Sequence, residues 1–164
     1  MSVMQRLAPL QRAGLALGGA IVIADQISKL LVASQVLGER SHVEITPFLG
    51  LVTVWNRGVS FGLFNRDWPG TPWVLSALAV VVVVFLLVWL ARSQRRLTAL
   101  ALGAIIGGAM ANVVDRARFG AVYDFVDFHL GEWHWPAFNL ADSAITLGVA
   151  ALLIDALLAE RKPV

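Results

Sequence analysis

Two aspartates have the type and the setting for hydrolytic chemistry. Asp124 lies in Val-Tyr-Asp-Phe (122–125), just beyond one apolar segment, and Asp142 lies in Phe-Asn-Leu-Ala-Asp (138–142), in the first turns of another. An ionisable group at bilayer depth costs several kcal/mol unless it is paired or solvated, so such groups mark function by default. Two carboxylates that converge on one water can hydrolyse a peptide. One, ionised, takes a proton from the water, while the other, protonated, donates to the carbonyl oxygen. Their mutual repulsion forces the two ionisations apart and supplies both states at one pH. The same spacing also fits two unrelated interfacial aspartates, one of them a helix N-terminal charge favoured by the macrodipole.

Other chemistries have less support. Asp25 and Lys29 are four apart on a helix, the spacing of an intrahelical ion pair that makes both charges tolerable. A Ser–Lys hydrolase would use Lys29 as base, but Ser28 points elsewhere, and Ser60 and Ser143 approach only through the fold. His129, Glu132 and His134 do not have the His-Glu-x-x-His spacing, and no helix period aligns them. They read as an interfacial loop, and neither a metal nor another cofactor is expected. Nothing resembles a nucleophile elbow. The absence of cysteine excludes a thiolate nucleophile, a disulfide scaffold and a Cys-based zinc site.

These residues must be positioned by membrane spans. The chain of 164 residues is 58% hydrophobic, against roughly 45–50% for a soluble domain. The excess sits in four blocks near the roughly 20 residues a spanning helix needs, Ala13–Val36, Pro72–Ala91, Thr98–Val114 and Ala137–Ala159. The first is read as a retained signal anchor. Arg6 and Arg12, then Arg92, Arg95 and Arg96, then Arg161 and Lys162 crowd short flanks, which places both termini in the cytoplasm. Loops at about 37–71 and 115–136 then lie outside. The sequence pI of about 9.7 follows from this pattern and from anionic lipid, so no nucleic-acid partner is expected.

The expected fold is a single all-α membrane domain over 1–164, a four-helix bundle with a small extracytoplasmic β-sheet in the first outer loop. Val43-Glu44-Ile45 and Leu49–Trp55 read as strands, and Leu63, Phe64 and Trp68 add apolar surface facing lipid. Gly103–Gly107 and Gly107–Ala111 are spacings that let helices pack closely in lipid. Asn112, Asp115 and Arg116 share a face if that helix continues. The aromatic second loop, with Phe119, Tyr123, Phe125, Phe128, Trp133 and Trp135, is expected to dip into the interface. Pro136 then starts the fourth helix, with Asn139 and Asp142 on one face. Asp124 would come from the outer side of the third helix and Asp142 from that of the fourth.

Five blocks in order carry a family resemblance: Asp-Gln-Ile-Ser-Lys (25–29), Asn-Arg-Gly-Val-Ser-Phe-Gly (56–62), Gly-Gly-Ala-Met-Ala-Asn-Val-Val-Asp-Arg (107–116), Val-Tyr-Asp-Phe-Val-Asp-Phe (122–128) and Phe-Asn-Leu-Ala-Asp (138–142). Over essentially its whole length the chain resembles the bacterial lipoprotein signal peptidases, or signal peptidase II. The resemblance implies an aspartic endopeptidase of the bacterial cytoplasmic (inner) membrane, with its active site towards the extracytoplasmic side. Such an enzyme cleaves prolipoproteins on the amino side of a diacylglyceryl cysteine. It maps the catalytic pair onto Asp124 and Asp142, and the supporting polar residues onto Asp25, Lys29, Asn56, Asn112, Asp115, Arg116 and Asn139. The implied partners are the lipid-modified substrate and membrane lipid, and the protein is expected to be a monomer. Ala111 stands where the family usually has a second glycine, and it stays small. An ion-coupled carrier would show inverted repeats and broken helices, and a presenilin-like protease a Gly-x-Gly-Asp signature; neither is present.

Overall fold

The computed structural model describes residues 9–58 and 68–160. Among the described residues, four helices are long and apolar enough to cross a membrane. They are α1 (Pro9–Leu31, continued by a π-helical turn, Val32–Leu37), α2 (Thr71–Arg92), α3 (Arg96–Phe119) and α4 (Leu140–Glu160). Ser60, Leu63, Phe64 and the flanking Arg6, Arg161 and Lys162 lie outside the described residues.

Helix α3 is the centre of the bundle and packs on each of the other three. Its Ala99, Leu102, Ile105 and Ile106 form the apolar core with Val83, Leu86 and Leu90 of α2. The expected small-residue contact is with α1. Gly103 meets the backbone of Gly14, and Gly107 that of Gly18, so a Cβ at either α3 position would strike main chain. Gly108 meets the carbonyl oxygen of Ala141 at the start of α4. The outward faces carry large exposed side chains such as Val81, Phe85, Leu147 and Leu153. That is the surface expected of helices whose solvent is hydrocarbon.

The sheet differs from the expectation in its extent. Strands β1 (His42–Thr46) and β2 (Leu49–Asn56) come from the first connection, as read. The second connection, expected as an aromatic loop, forms β3 (Val122–Leu130) and a short β4 (Trp133–His134). All four make one antiparallel sheet in chain order. The sheet therefore ties both connections together at the end of the bundle where α1 and α3 finish and α2 and α4 begin. The reversal after α3 has a local cause. Gly120, with φ of 68°, takes the left-handed conformation and donates its N–H to the Arg116 carbonyl, which stops the helix and feeds β3.

The fourth helix starts later than expected. Pro136 lies before it, in the stretch that reaches back to β3 through Phe138 and Val126. The N-cap is Asn139, whose side-chain oxygen accepts the Asp142 N–H at 2.9 Å while an Asp142 carboxylate oxygen accepts the Asn139 N–H at 3.2 Å. This is a reciprocal capping box, with Asn and Asp in the usual roles of Ser and Glu.

Candidate functional site

Asp124 does not sit at the end of a helix, as expected, but on β3, which carries it over the start of α4. Asn139 links it to Asp142. The Asn139 amide donates to Asp124 Oδ1 at 2.7 Å, and the Asn139 backbone N–H donates to Asp142 Oδ2. Asn56, on β2, donates to the other Asp124 oxygen at 3.1 Å. Asn112, on α3, donates to Asp142 Oδ1 at 2.8 Å and accepts from Asn139 at 3.3 Å. Each aspartate thus has both oxygens engaged by N–H donors. Arg116 adds positive charge; among the described residues its guanidinium donates a long bond, at 3.5 Å, to its own helix, and its Nε is buried without a hydrogen-bond partner.

Both aspartates line one cavity of about 660 Å³, with Asn56, Asn112 and Arg116. Trp135, Pro136 and Phe138 form one apolar wall, and Thr146 and Leu147 of α4 extend it along the helix. Burial is the main force on the Asp124 carboxyl and the charge of Asp142 adds to it, so its pKa rises from 3.8 to about 6 despite the hydrogen bonds from Asn56 and Asn139. A carboxyl that keeps its proton towards neutrality beside a second carboxylate is equipped for acid–base work.

Behind the cavity lies a buried ionic cluster that exceeds the expected pair. Lys29 Nζ contacts Asp25 at 2.7 Å and Asp115 at 2.6 Å. Each carboxylate also holds one backbone amide. Asp25 Oδ1 accepts the Ala141 N–H at 3.0 Å, and Asp115 Oδ2 accepts the Tyr123 N–H at 3.2 Å. Ala141 and Tyr123 are the residues immediately before Asp142 and Asp124. Gln26, part of the 25–29 block but given no role there, closes the cluster by donating to Asp115 at 2.7 Å. Its position one turn before Lys29 was the available signal. Lys29 is therefore committed to two carboxylates, and Ser143 Oγ donates to the Asn139 carbonyl. Among the described residues no serine is paired with Lys29.

The β3–β4 hairpin corrects one further reading. His129 and His134, expected in an interfacial loop, are cross-strand partners, and Asp127 contacts both. A strand period of two aligns what a helix period does not. Glu132, grouped with them in the sequence, lies in the turn instead.

These elements define a class: a protein with four helices able to cross a membrane and, at one end of the bundle, a cavity built around two carboxylates, Asp124 buried and Asp142 half-buried. A family profile described as "Signal peptidase (SPase) II" matches residues 17–158. The chain is 45% identical over 150 residues to the lipoprotein signal peptidase of Methylobacterium sp. (strain 4-46), covering 91% of each. It is 47% identical over 152 residues to that of Nitrobacter hamburgensis, covering 90% of this chain and 93% of the relative. Among solved structures, a bacterial membrane enzyme determined by the in meso method at 2.3 Å superposes with a TM-score of 0.76 at 25% identity, covering 92% of this chain and 93% of the other. The chain belongs to the lipoprotein signal peptidase (signal peptidase II) family.

Proposed function

We propose that this protein is an aspartic endopeptidase that removes signal peptides from prolipoproteins, cutting on the amino side of a diacylglyceryl cysteine. The observation that carries the reading is the pair Asp124 and Asp142, bridged by Asn139 on a cavity that continues along an apolar helix. Water between the carboxylates attacks the carbonyl that precedes the modified cysteine. Asp124, whose carboxyl is held up by burial, donates to that carbonyl oxygen. Asp142, in the first turn of α4 where the macrodipole favours negative charge, takes the proton from water. The proton then passes to the leaving amine, with no covalent intermediate. Arg116 and Asn56 sit where they can hold the substrate backbone, and the acyl chains remain in the bilayer.

The proposal extends to setting. The whole chain acts as one monomeric peptidase domain in the bacterial cytoplasmic membrane, with membrane lipid as its surround. The arginines at 92, 95 and 96 lie on the cytoplasmic side with both termini, and the sheet and cavity lie outside. Exposed Ile45, Phe48, Trp133 and Trp135 on the sheet and its flank support its resting in the membrane interface.

The test is incubation of the purified protein with a diacylglyceryl-modified prolipoprotein and with its unmodified twin. Cleavage at the modified cysteine alone is expected. Equal cleavage of both would remove the lipid requirement, and cleavage of neither would remove the proposed activity.

A further inference from the structure

The face of β3 turned away from Asp124 carries a second set of ligand-type side chains. Asp127 and His129 are two apart on the strand, and His129 pairs with His134 on β4 through a turn in which Gly131 has φ of 60°. Asp127, His129 and His134 therefore project to one face, and Asp124, three residues from Asp127, projects to the other. Asp127 Oδ1 lies 2.9 Å from His134 Nδ1, and Oδ2 lies 3.2 Å from His129 Nδ1. The two imidazoles stack with centroids 5.1 Å apart. One potential ligand atom from each of the three residues falls within 4.8 Å of the others.

Two features exceed what a hydrogen-bonded cluster needs. The first is His129 Nδ1, which is buried and makes no hydrogen bond although it lies 3.2 Å from Asp127 Oδ2. Leaving a buried ring nitrogen unsatisfied is costly, and a bound cation would satisfy it. The second is His42, the remaining histidine of the chain. It lies over Gly50, with Nε2 2.7 Å from where a Gly50 Cβ would stand, and Gly50 is the register partner of Asp127. A side chain at position 50 would push this third imidazole away. All three histidines thus gather on the sheet face that carries Asp127.

The donor set selects the ion. A carboxylate and two imidazoles suit zinc and its first-row neighbours, whereas calcium and magnesium prefer oxygen. Tetrahedral zinc, with bonds of about 2.0–2.1 Å, spaces its ligand atoms by about 3.3 Å. The observed carboxylate–imidazole separations of 2.9 and 3.2 Å are close to that spacing, and the three ligand atoms all fall within 4.8 Å of one another. We propose that Asp127, His129 and His134 bind one zinc-type divalent ion, as a structural clip on the sheet rather than as part of the hydrolytic site. The ion pins β4 to β3. It thereby steadies Trp135, Pro136 and Phe138, which follow β4 and wall the cavity.

The proposal is tested on full-length protein without a polyhistidine tag, stripped with a chelator and titrated with zinc or cobalt(II) in detergent. Binding of about one ion per chain is expected, with a visible ligand-field band for cobalt and a higher unfolding midpoint with zinc. His134→Ala, at an exposed side chain, should fold normally, lose the cobalt band and weaken zinc binding at least about tenfold. Asp127→Asn should do the same, and Asp142→Asn should bind as the wild type does. Where His134→Ala does not retain the native fold by circular dichroism, His134→Gln replaces it. Uptake below about 0.2 ions per chain, or equal affinity in wild type and the His134 variant, would overturn the proposal. Loss of binding in Asp142→Asn would overturn it as well, by moving the ion to the other carboxylate pair.

Discussion

Lys29→Ala removes the one cation between two carboxylates that are 0% and 1% exposed. Breaking a buried ion pair by deleting one partner costs about 3–5 kcal/mol, because the other charge stays behind without compensation. At about 2–4 °C per kcal/mol for a chain of this size, the unfolding midpoint should fall by roughly 6–20 °C. The effect should reach catalysis as well. Asp25 and Asp115 hold the amides of Ala141 and Tyr123, so their mutual repulsion displaces both aspartates of the site. A displacement of about 1 Å in a reacting group can cost about a hundredfold in rate. We therefore expect kcat to drop by about 10- to 100-fold with KM nearly constant.

The rescue makes this specific. In Asp25→Asn with Lys29→Met, the asparagine oxygen can still accept the Ala141 N–H, and Asp115 keeps its donors Gln26 and Tyr123. Removing both charges together should recover at least about half of the lost midpoint and part of the lost rate. Thermal unfolding in detergent by tryptophan fluorescence, beside cleavage of a modified prolipoprotein, reads both effects. A double variant that loses the sum of the two single effects refutes direct coupling. An unchanged midpoint in Lys29→Ala refutes the energetic argument. Recovered activity in the double variant also excludes Lys29 as a general base.

Four further outcomes are expected. Asp124→Asn and Asp142→Asn should each lower cleavage by at least about 10³-fold with folding intact, while Asp127→Asn stays within about fivefold, as a single-turnover assay reads directly. The pKa of Asp124, raised from 3.8 to about 6, means that the folded protein keeps a proton the unfolded chain has released, so this group's stabilisation is full below 3.8 and is lost as pH rises through about 6. The difference in unfolding free energy between wild type and Asp124→Asn should therefore fall by about 2 kcal/mol between pH 4 and 7, and a flat difference would contradict the assignment. Gly108→Ala drives a Cβ into the Ala141 carbonyl oxygen and should cost about 1–3 kcal/mol and most of the activity, whereas Gly19→Ala, with open space around it, should be neutral or slightly stabilising in the same unfolding assay. Reporter fusions after Gln94 and at the C terminus should read cytoplasmic and one after Asp67 outside; a cytoplasmic readout after Asp67 would overturn the topology.

The helices were legible because membrane spans are local. Val74–Leu90 carries no charge and needs no tertiary information to be recognised. The strand carrying Asp124 was not legible, because Val122–Phe125 is buried at every position and so lacks the alternation that marks a half-buried strand. Its partner β2 lies more than sixty residues away in sequence, and pairing at that distance leaves no local mark. Other signals were present and open to a closer reading. Asn139 and Asp142 have capping-box spacing, although Pro136 competes as a helix start. Gly14 and Gly18 repeat the spacing of Gly103 and Gly107, their partners in the bundle. The five motif blocks named the polar residues around the two aspartates. They could not reveal that Asp25 and Asp115 act on backbone amides, because that contact joins a helix to the start of another and to a strand.

That arrangement also explains why the buried charges are where they are. Residues 13–24, 73–91, 97–114 and 143–154 contain no Asp, Glu, Lys or Arg, so the middle of every span is uncharged. A proton or ion relay needs stepping stones through that depth, and this chain has none. The ionisable groups collect instead at the two ends. At the end away from the sheet, Asp155 binds Arg95 and Thr98 and fastens α4 to the start of α3. At the sheet end, Lys29 neutralises two carboxylates that also grip the backbone amides of the residues next to Asp124 and Asp142. A buried ion pair is a weak source of stability, because desolvation offsets most of its attraction. Its value here is geometric. β3 and α4 share no covalent constraint that would fix one aspartate against the other. An ammonium held between two carboxylates, each anchored to one of those elements, supplies that constraint from the rigid pair α1 and α3.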